Sequence, residues 1–165
     1  MPVNRIGALA ALCALLSGCS ATGPIYTEAA PPPDQKALIY VYRMPGLAFG
    51  AKQAHFYLDG IKAFDLNTSG YSYLYVSAGD HILSQNWEYW PLDPPTDGIS
   101  APITVRAGET RYFRFSTSMG GGPLVYNAVS LTLRWQLKEY PEGFAKIEIK
   151  KENFQKPNGA YGSDF

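Results

Sequence analysis

His55 and His81 are the only imidazoles in a chain of 165 residues. Histidine is the side chain best suited to proton transfer near neutral pH. Both fall on expected strands or strand edges, and His81 directly follows the turn residue Asp80, so local hydrogen bonding is the simpler reading for each. The carboxylates available to act with them are Asp59, Asp65, Asp80, Glu88, Asp93 and Asp97. Glycoside hydrolysis needs two carboxyl groups facing each other about 5–10 Å apart. Asp59 and Asp80 stand instead in turn sequences, where their side chains cap backbone groups. Glu88, Asp93 and Asp97 share one loop but lack the spacing of a calcium loop, so no metal site is expected. The glycine-rich "SMGGGP" (118–123) follows a strand pattern and no helix pattern comes after it, so it reads as a loop and not as a phosphate cradle. The chain has no nucleophile elbow and no HExxH. These residues predict a non-catalytic protein with no cofactor.

The thiols point elsewhere. One of the two cysteines, Cys19, closes the sequence "MPVNRIGALAALCALLSGC". Arg5 and the amino terminus give a short positive region. The apolar run from Ile6 to Leu16 is about 11 residues, or roughly 16 Å as a helix, too short for a bilayer core of about 30 Å. This is the form of a secretory signal. Leu16-Ser17-Gly18-Cys19 resembles the lipobox of bacterial lipoproteins, an aliphatic residue and two small residues before the cysteine. The resemblance implies cleavage before Cys19, a diacylglycerol on its thiol and a further acyl chain on the freed amine. Three acyl chains exceed the two signals that stable anchoring needs. Ser20, where an aspartate would signal retention, implies sorting to the outer membrane, facing the periplasm. An ordinary signal peptide with a chance cysteine is the blander alternative.

Cleavage would discard Cys13 and leave no cysteine for a disulfide. It would also remove Arg5, leaving 13 basic against 14 acidic side chains and a formal charge of −1. That balance gives no electrostatic case for nucleic acid. About 147 residues would remain, enough for one domain with its own core.

The elements that must position any site read as strands. "SATGPIYTEAAPPPDQ" reads as a tether, stiffened by Pro31-Pro32-Pro33, so residues 19–35 are expected to be lipidated and flexible. "ALIYVYR" (37–43) alternates Ile39 and Val41 with Tyr40 and Tyr42. "AHFYLDG" (54–60) ends in the turn dipeptide Asp59-Gly60, and "IKAFDL" pairs back. "YSYLYV" (71–76), "HILSQNW" (81–87), "ISAPITV" (99–105), "RYFRFSTS" (111–118) and "SLTLRWQL" (130–137) complete the set. Seven to eight short alternating antiparallel strands predict an all-β fold, a β-sandwich over 36–155. The tail segment 141–155 is ambiguous: Phe144, Ile147, Lys151 and Phe154 recur at helical spacing, whereas Ile147 and Ile149 alternate as in a strand. A short C-terminal helix is the preferred reading. Residues 156–165 are expected to be disordered.

Four blocks in order, the lipobox, "ALIYVYRMPG", "FYLDGIKAFDLNTSGYSYLYVSAGDHIL" and "ITVRAGETRYFRFSTSMGGG", resemble a family of bacterial envelope lipoproteins catalogued as a domain of unknown function. The resemblance covers roughly residues 36–137 and implies a sandwich and an envelope location. It brings no activity and no catalytic residues. Met44 and the long aromatic loop after Trp87 depart from the family pattern.

Two features suggest binding. Trp87, Tyr89 and Trp90 lie close together in a proline-stiffened loop and suit a sugar ring or a protein hot spot, unless Trp87 and a neighbour fold inward to plug the sandwich. Tyr40, Tyr42, Tyr73 and Tyr75, with Tyr112 and Arg114, would line one sheet face, open to a partner or covered by another element. The expected role is a membrane-anchored module that binds another envelope component or supports envelope assembly. The alternative is a peptidoglycan- or glycan-binding module using residues 87–90.

Overall fold

A computed structural model describes residues 20–46, 49–87, 98–125, 128–158 and 160–161, with the backbone course alone at 122–125 and 128–132. The Asp59-Gly60 hairpin forms as its sequence predicts. Leu58 pairs with Ile61, and both turn residues have positive φ, 51° and 78°, the conformation that suits a two-residue turn to the twist of its strands. This hairpin joins β2 (Ala54–Leu58) to β3 (Ile61–Leu66). With β5 (Gly79–Trp87) and β6 (Ile99–Val105) it forms a four-stranded sheet in the order β3-β2-β5-β6.

The second sheet centres on β1 (Lys36–Arg43). Its order is β8-β7-β1-β4-β9, built from β4 (Gly70–Ser77), β7 (Thr110–Val125), β8 (Ala128–Tyr140) and β9 (Asn153–Phe154). Five of the seven strand pairings among the described residues are antiparallel; β1–β7 and β4–β9 are parallel. The chain between β1 and β7 adds β4 to this sheet and builds the whole of the other before it returns, and this long path is what a parallel neighbour requires. The expected two-sheet sandwich is therefore present, with parallel partners on either side of its larger sheet.

Alternation along β1 and β4 gives the larger sheet two buried faces. Ile39, Val41, Leu74, Val76, Phe113 and Phe115 meet Phe56, Phe64, Leu66 and Leu83 between the sheets. On the opposite face Leu38, Tyr40, Tyr42, Tyr71 and Tyr112 form a second core with Ala145 and Ile149. The last two belong to α1 (Glu142–Ile149). The tail thus forms the helix preferred above, but its buried stripe is Ala145–Ile149. Phe144 and Ile147 are exposed. The small Ala145 side chain lets the helix lie close on the tyrosine rings, an approach that Phe144 would obstruct.

Two expectations about the chain ends are corrected. The residues expected as a flexible tether are seated on the domain. Ser20 bridges Thr68, Ile25 bridges Asn153, and the Ala21 N–H donates to the Thr68 carbonyl at 2.9 Å. Within the tail expected to be disordered, Pro157 is buried and the Asn158 N–H donates to the Ala63 carbonyl at 2.7 Å. Tyr161 packs against the inter-sheet core.

Gly23 shows how closely the N-terminal strap lies. A Cβ there would fall 1.8 Å from the Phe154 carbonyl oxygen, while the Phe154 N–H donates to the Pro24 carbonyl at 2.7 Å. Gly23→Ala should lift the strap and cost about 1–3 kcal/mol. Faster hydrogen exchange at the Tyr26 amide, with core strands unchanged, would report it; unchanged exchange at Tyr26 would refute it.

Candidate functional site

The tyrosine face, expected to be open to a partner or covered by another element, is covered: Tyr40 and Tyr75 hold the chain's own strap and Tyr42 holds α1. Tyr40 and Tyr42 are fully buried, and Tyr73 and Tyr75 are half-buried in the same layer. The strap over residues 24–30 has few strand partners, so its backbone polar groups need others. The Ala29 N–H donates to the Tyr40 hydroxyl at 2.8 Å, and the Thr27 N–H to the Tyr71 hydroxyl at 3.2 Å. The Tyr75 hydroxyl donates to the Ala30 carbonyl at 2.8 Å. Tyr26 packs its ring on Tyr40 and Tyr71, with centroids 5.9 and 5.2 Å away. Lys146 of α1 closes the arrangement, reaching Glu28 at 2.6 Å and Glu142 at 2.7 Å. Hydrogen bonds to Glu142 and Glu28 raise the Lys146 pKa. Burial pushes the Tyr26 and Tyr112 hydroxyls up to about 12 and raises those of Tyr40 and Tyr42 as well. These phenols stay neutral at physiological pH, and those of Tyr40 and Tyr42 serve as hydrogen-bond groups.

The helix is pinned to the same face. The Tyr42 hydroxyl donates to Glu148 Oε2 at 2.7 Å. Arg114 Nη1 donates to Glu148 Oε1 at 2.8 Å, and Nη2 donates to the Tyr140 hydroxyl. The Arg114 guanidinium lies 4.0 Å from the Tyr140 ring centroid, a cation–π geometry. Beside this group, Glu152 is buried with Oε2 unpartnered.

At the end of the sandwich, Arg43 turns inward from β1 and is fully buried. Nη1 donates to the carbonyls of Lys52 at 2.5 Å and Leu66 at 2.9 Å, and Nη2 to that of Phe49 at 2.6 Å. Trp87 and Phe115 lie beside its guanidinium, 5.4 and 5.9 Å away. Burial lowers the Arg43 pKa to about 10, which leaves it cationic at neutral pH. Trp87 itself points inward, stacked on Phe49 at 4.9 Å and packed on Phe115 and Trp135. It is therefore a plug of the sandwich end and not part of an open ring platform. Tyr89 and Trp90, with Glu88, Asp93 and Asp97, lie outside the described residues, as does Cys19.

Both histidines pair with carboxylates, at separate places. His55 Nδ1 is 2.5 Å from Asp65 Oδ1. Asp65 also takes Lys62 Nζ at 3.0 Å and the Asn158 side-chain amide at 3.0 Å, so this carboxylate ties the tail to β3. His81 Nδ1 is 2.7 Å from Asp59 Oδ2, and Asp59 Oδ1 accepts the Ile82 N–H at 2.8 Å. Burial opposes charge on His81, but Asp59 and the Ser77 carbonyl outweigh it and raise the pKa. Burial likewise opposes charge on Asp59, whose pKa is nevertheless lowered by His81 and the Ile82 amide. This pair borders a groove of about 570 Å³ with Asp80, Ile82, Pro102 and Thr104. Thr104 Oγ1 donates to Asp80 Oδ1 at 2.6 Å. Among the described residues no cluster of three or more His, Cys, Asp or Glu is arranged to hold a metal ion.

The strap, the buried Arg43 and Glu152 were not identified as functional features from sequence. Tyr26 is the one aromatic in the 20–35 segment, and it is the signal that this segment docks. A family model described as "Protein of unknown function (DUF2846)" matches residues 33–128, more than half of the chain. No curated protein and no solved structure matches the chain.

Proposed function

The chain belongs to the family of proteins of unknown function DUF2846, and from that premise we propose that it is a lipid-anchored, non-catalytic envelope protein. Its sandwich is held rigidly at the membrane surface and binds another envelope component there. The observation that carries this reading is the strap. Leu16-Ser17-Gly18-Cys19 resembles a lipobox, and the next residue, Ser20, is already bridged to Thr68 of the domain. Tyr40, Tyr71, Tyr75 and Lys146 then hold residues 26–30 in place. Such investment in fixing the first residues after the cysteine fits a domain whose orientation on a membrane matters. The paired histidines and the neutral buried phenols also support a binding role, because each of these groups has a structural partner or is buried.

The reading predicts that cells given labelled palmitate incorporate it into the wild-type protein and not into a Cys19→Ala variant. The label should fractionate with the outer membrane. An unlabelled wild-type protein, or equal labelling of both, would overturn the anchor; label confined to the inner membrane would overturn the location.

A further inference from the structure

Strand β7 runs well past the sheet that it helps to build. Its pairing with β1 ends at Phe115, opposite Arg43. Beyond that point β7 pairs with β8 alone, through Met119↔Leu133, Gly121↔Leu131, Leu124↔Val129 and Val125↔Ala128. The root of this two-stranded ribbon is packed: Trp135 sits on Phe49 and Trp87, and the Met44 N–H donates to the Phe115 carbonyl at 3.2 Å. Farther out Met119 is 51% exposed. Residues 116–125 extend roughly 33 Å at about 3.3 Å per residue.

The direction of the ribbon is fixed by register. Arg43 pairs with Gly70 on one side and Phe115 on the other. Thr68, which bridges Ser20, lies two residues before Gly70. The ribbon therefore leaves the sandwich at the end where the chain leads back to Cys19, a single peptide unit of about 3.8 Å away. The ribbon sequence is equally distinct. No charged residue occurs from Ser116 to Leu133, a run of 18 residues, and Arg134 and Lys138 follow at the root. An isolated two-stranded ribbon is marginal in water. Its open edges would leave backbone groups unsatisfied in hydrocarbon, so it suits the headgroup level and not a span. Basic side chains at its root suit lipid phosphates.

We propose that the β7–β8 ribbon is a second membrane contact, lying against the headgroup region of the bilayer that holds the anchor. The inference rests on the anchored reading above, which supplies the membrane at this end. The groove bordered by Asp59 and His81 then faces away from the bilayer, because Gly79↔Val105 and Asp80↔Thr104 lie at the opposite end of the strands.

The test uses lipidated protein purified from membranes and returned to phosphatidylethanolamine–phosphatidylglycerol vesicles. An environment-sensitive fluorescent amino acid replaces Leu124 in one protein and Ser77, at the far end of β4, in another. The expected result is a blue shift at 124, with quenching by roughly half from lipids carrying a shallow nitroxide, as for a segment seated 5–10 Å deep. Position 77 should show neither. A label at Met119 serves if the 124 variant does not fold. Palmitate on Cys19 with no quenching at 124 or 119 would overturn the ribbon contact and leave the anchor intact. A blue shift that no nitroxide lipid quenches would assign the ribbon to a second copy of the chain and overturn the proposal. Absence of palmitate would remove the anchor and this inference together.

Discussion

Arg43→Ala is expected to destabilise the domain by about 3–5 kcal/mol, the size of a large fully buried side chain lost together with the hydrogen bonds it donates. Three carbonyls, those of Phe49, Lys52 and Leu66, accept from this guanidinium. Alanine would strip them of a donor in a place where an unsatisfied polar group costs about 1–3 kcal/mol. It would also open a cavity beside Trp87 and Phe115. Arg43→Lys keeps the charge but has no planar fork to reach Lys52, Leu66 and Phe49 together, so an intermediate loss is expected. Urea denaturation reads both, as a lower midpoint at an unchanged slope. A loss below about 1 kcal/mol for the alanine variant would show that these three carbonyls find other donors.

The role of Arg43 is invisible in "IYVYR" because its acceptors come from three separate places. Phe49 and Lys52 lie in the following loop and Leu66 ends β3. Local pattern carries information about a strand and a turn, and here it sufficed for Asp59-Gly60 and for the alternation of β1 and β4. It also separated the two faces of the larger sheet correctly. It could not tell whether the tyrosine face met water, because tyrosine has an apolar ring and a polar tip and suits both situations. The answer depended on contacts between residues such as Thr27 and Tyr71, 44 positions apart. The strap itself has no periodic apolar pattern, since its backbone is held by hydroxyl groups and isolated bridges and not by a strand ladder.

The same limit explains "SMGGGP". Glycine disfavours strands through entropy and the lack of a packing side chain, so a loop was the natural expectation. Backbone pairing with β8 needs no side chain, and the strand continues through Gly120 and Gly121 to a bulge before Leu124. Pro123 falls within that irregularity, where its missing N–H is tolerated. Tertiary pairing overrides local propensity here.

Stability should fall as pH rises from about 5 to 8, by up to about 3 kcal/mol, and Glu152 should be the main cause. This carboxyl lies just beyond the end of α1, with its N–H on the Ile149 carbonyl at 2.9 Å and its own carbonyl accepting from Tyr26. Burial is the first reason that its pKa is raised from 4.5 to about 7; the nearby Glu148 adds to the effect, and Ser69 and Lys151 oppose it. The negative end of the helix also disfavours a carboxylate here. The folded protein holds this proton more tightly than the unfolded chain does. Folding is therefore most favoured below pH 4.5, loses ground as the unfolded carboxyl ionises, and reaches its full penalty above about pH 7. His81, whose pKa is also raised, contributes with the same sign starting from its ordinary value of 6.5, so a variant must separate the two. Glu152→Gln should be more stable than wild type at pH 8 and nearly level with it at pH 4.5. A flatter profile remains for His81→Gln to remove. Urea midpoints across this range decide the matter: a wild-type profile that rises with pH, or a Gln variant that keeps the full slope, would show that Glu152 is not the group responsible. The expected profile would mean that the carboxyl beneath the strap, where the chain leads back to Cys19, loosens its hold as it ionises. The packing that fixes the strap on the domain would then be its most pH-sensitive part.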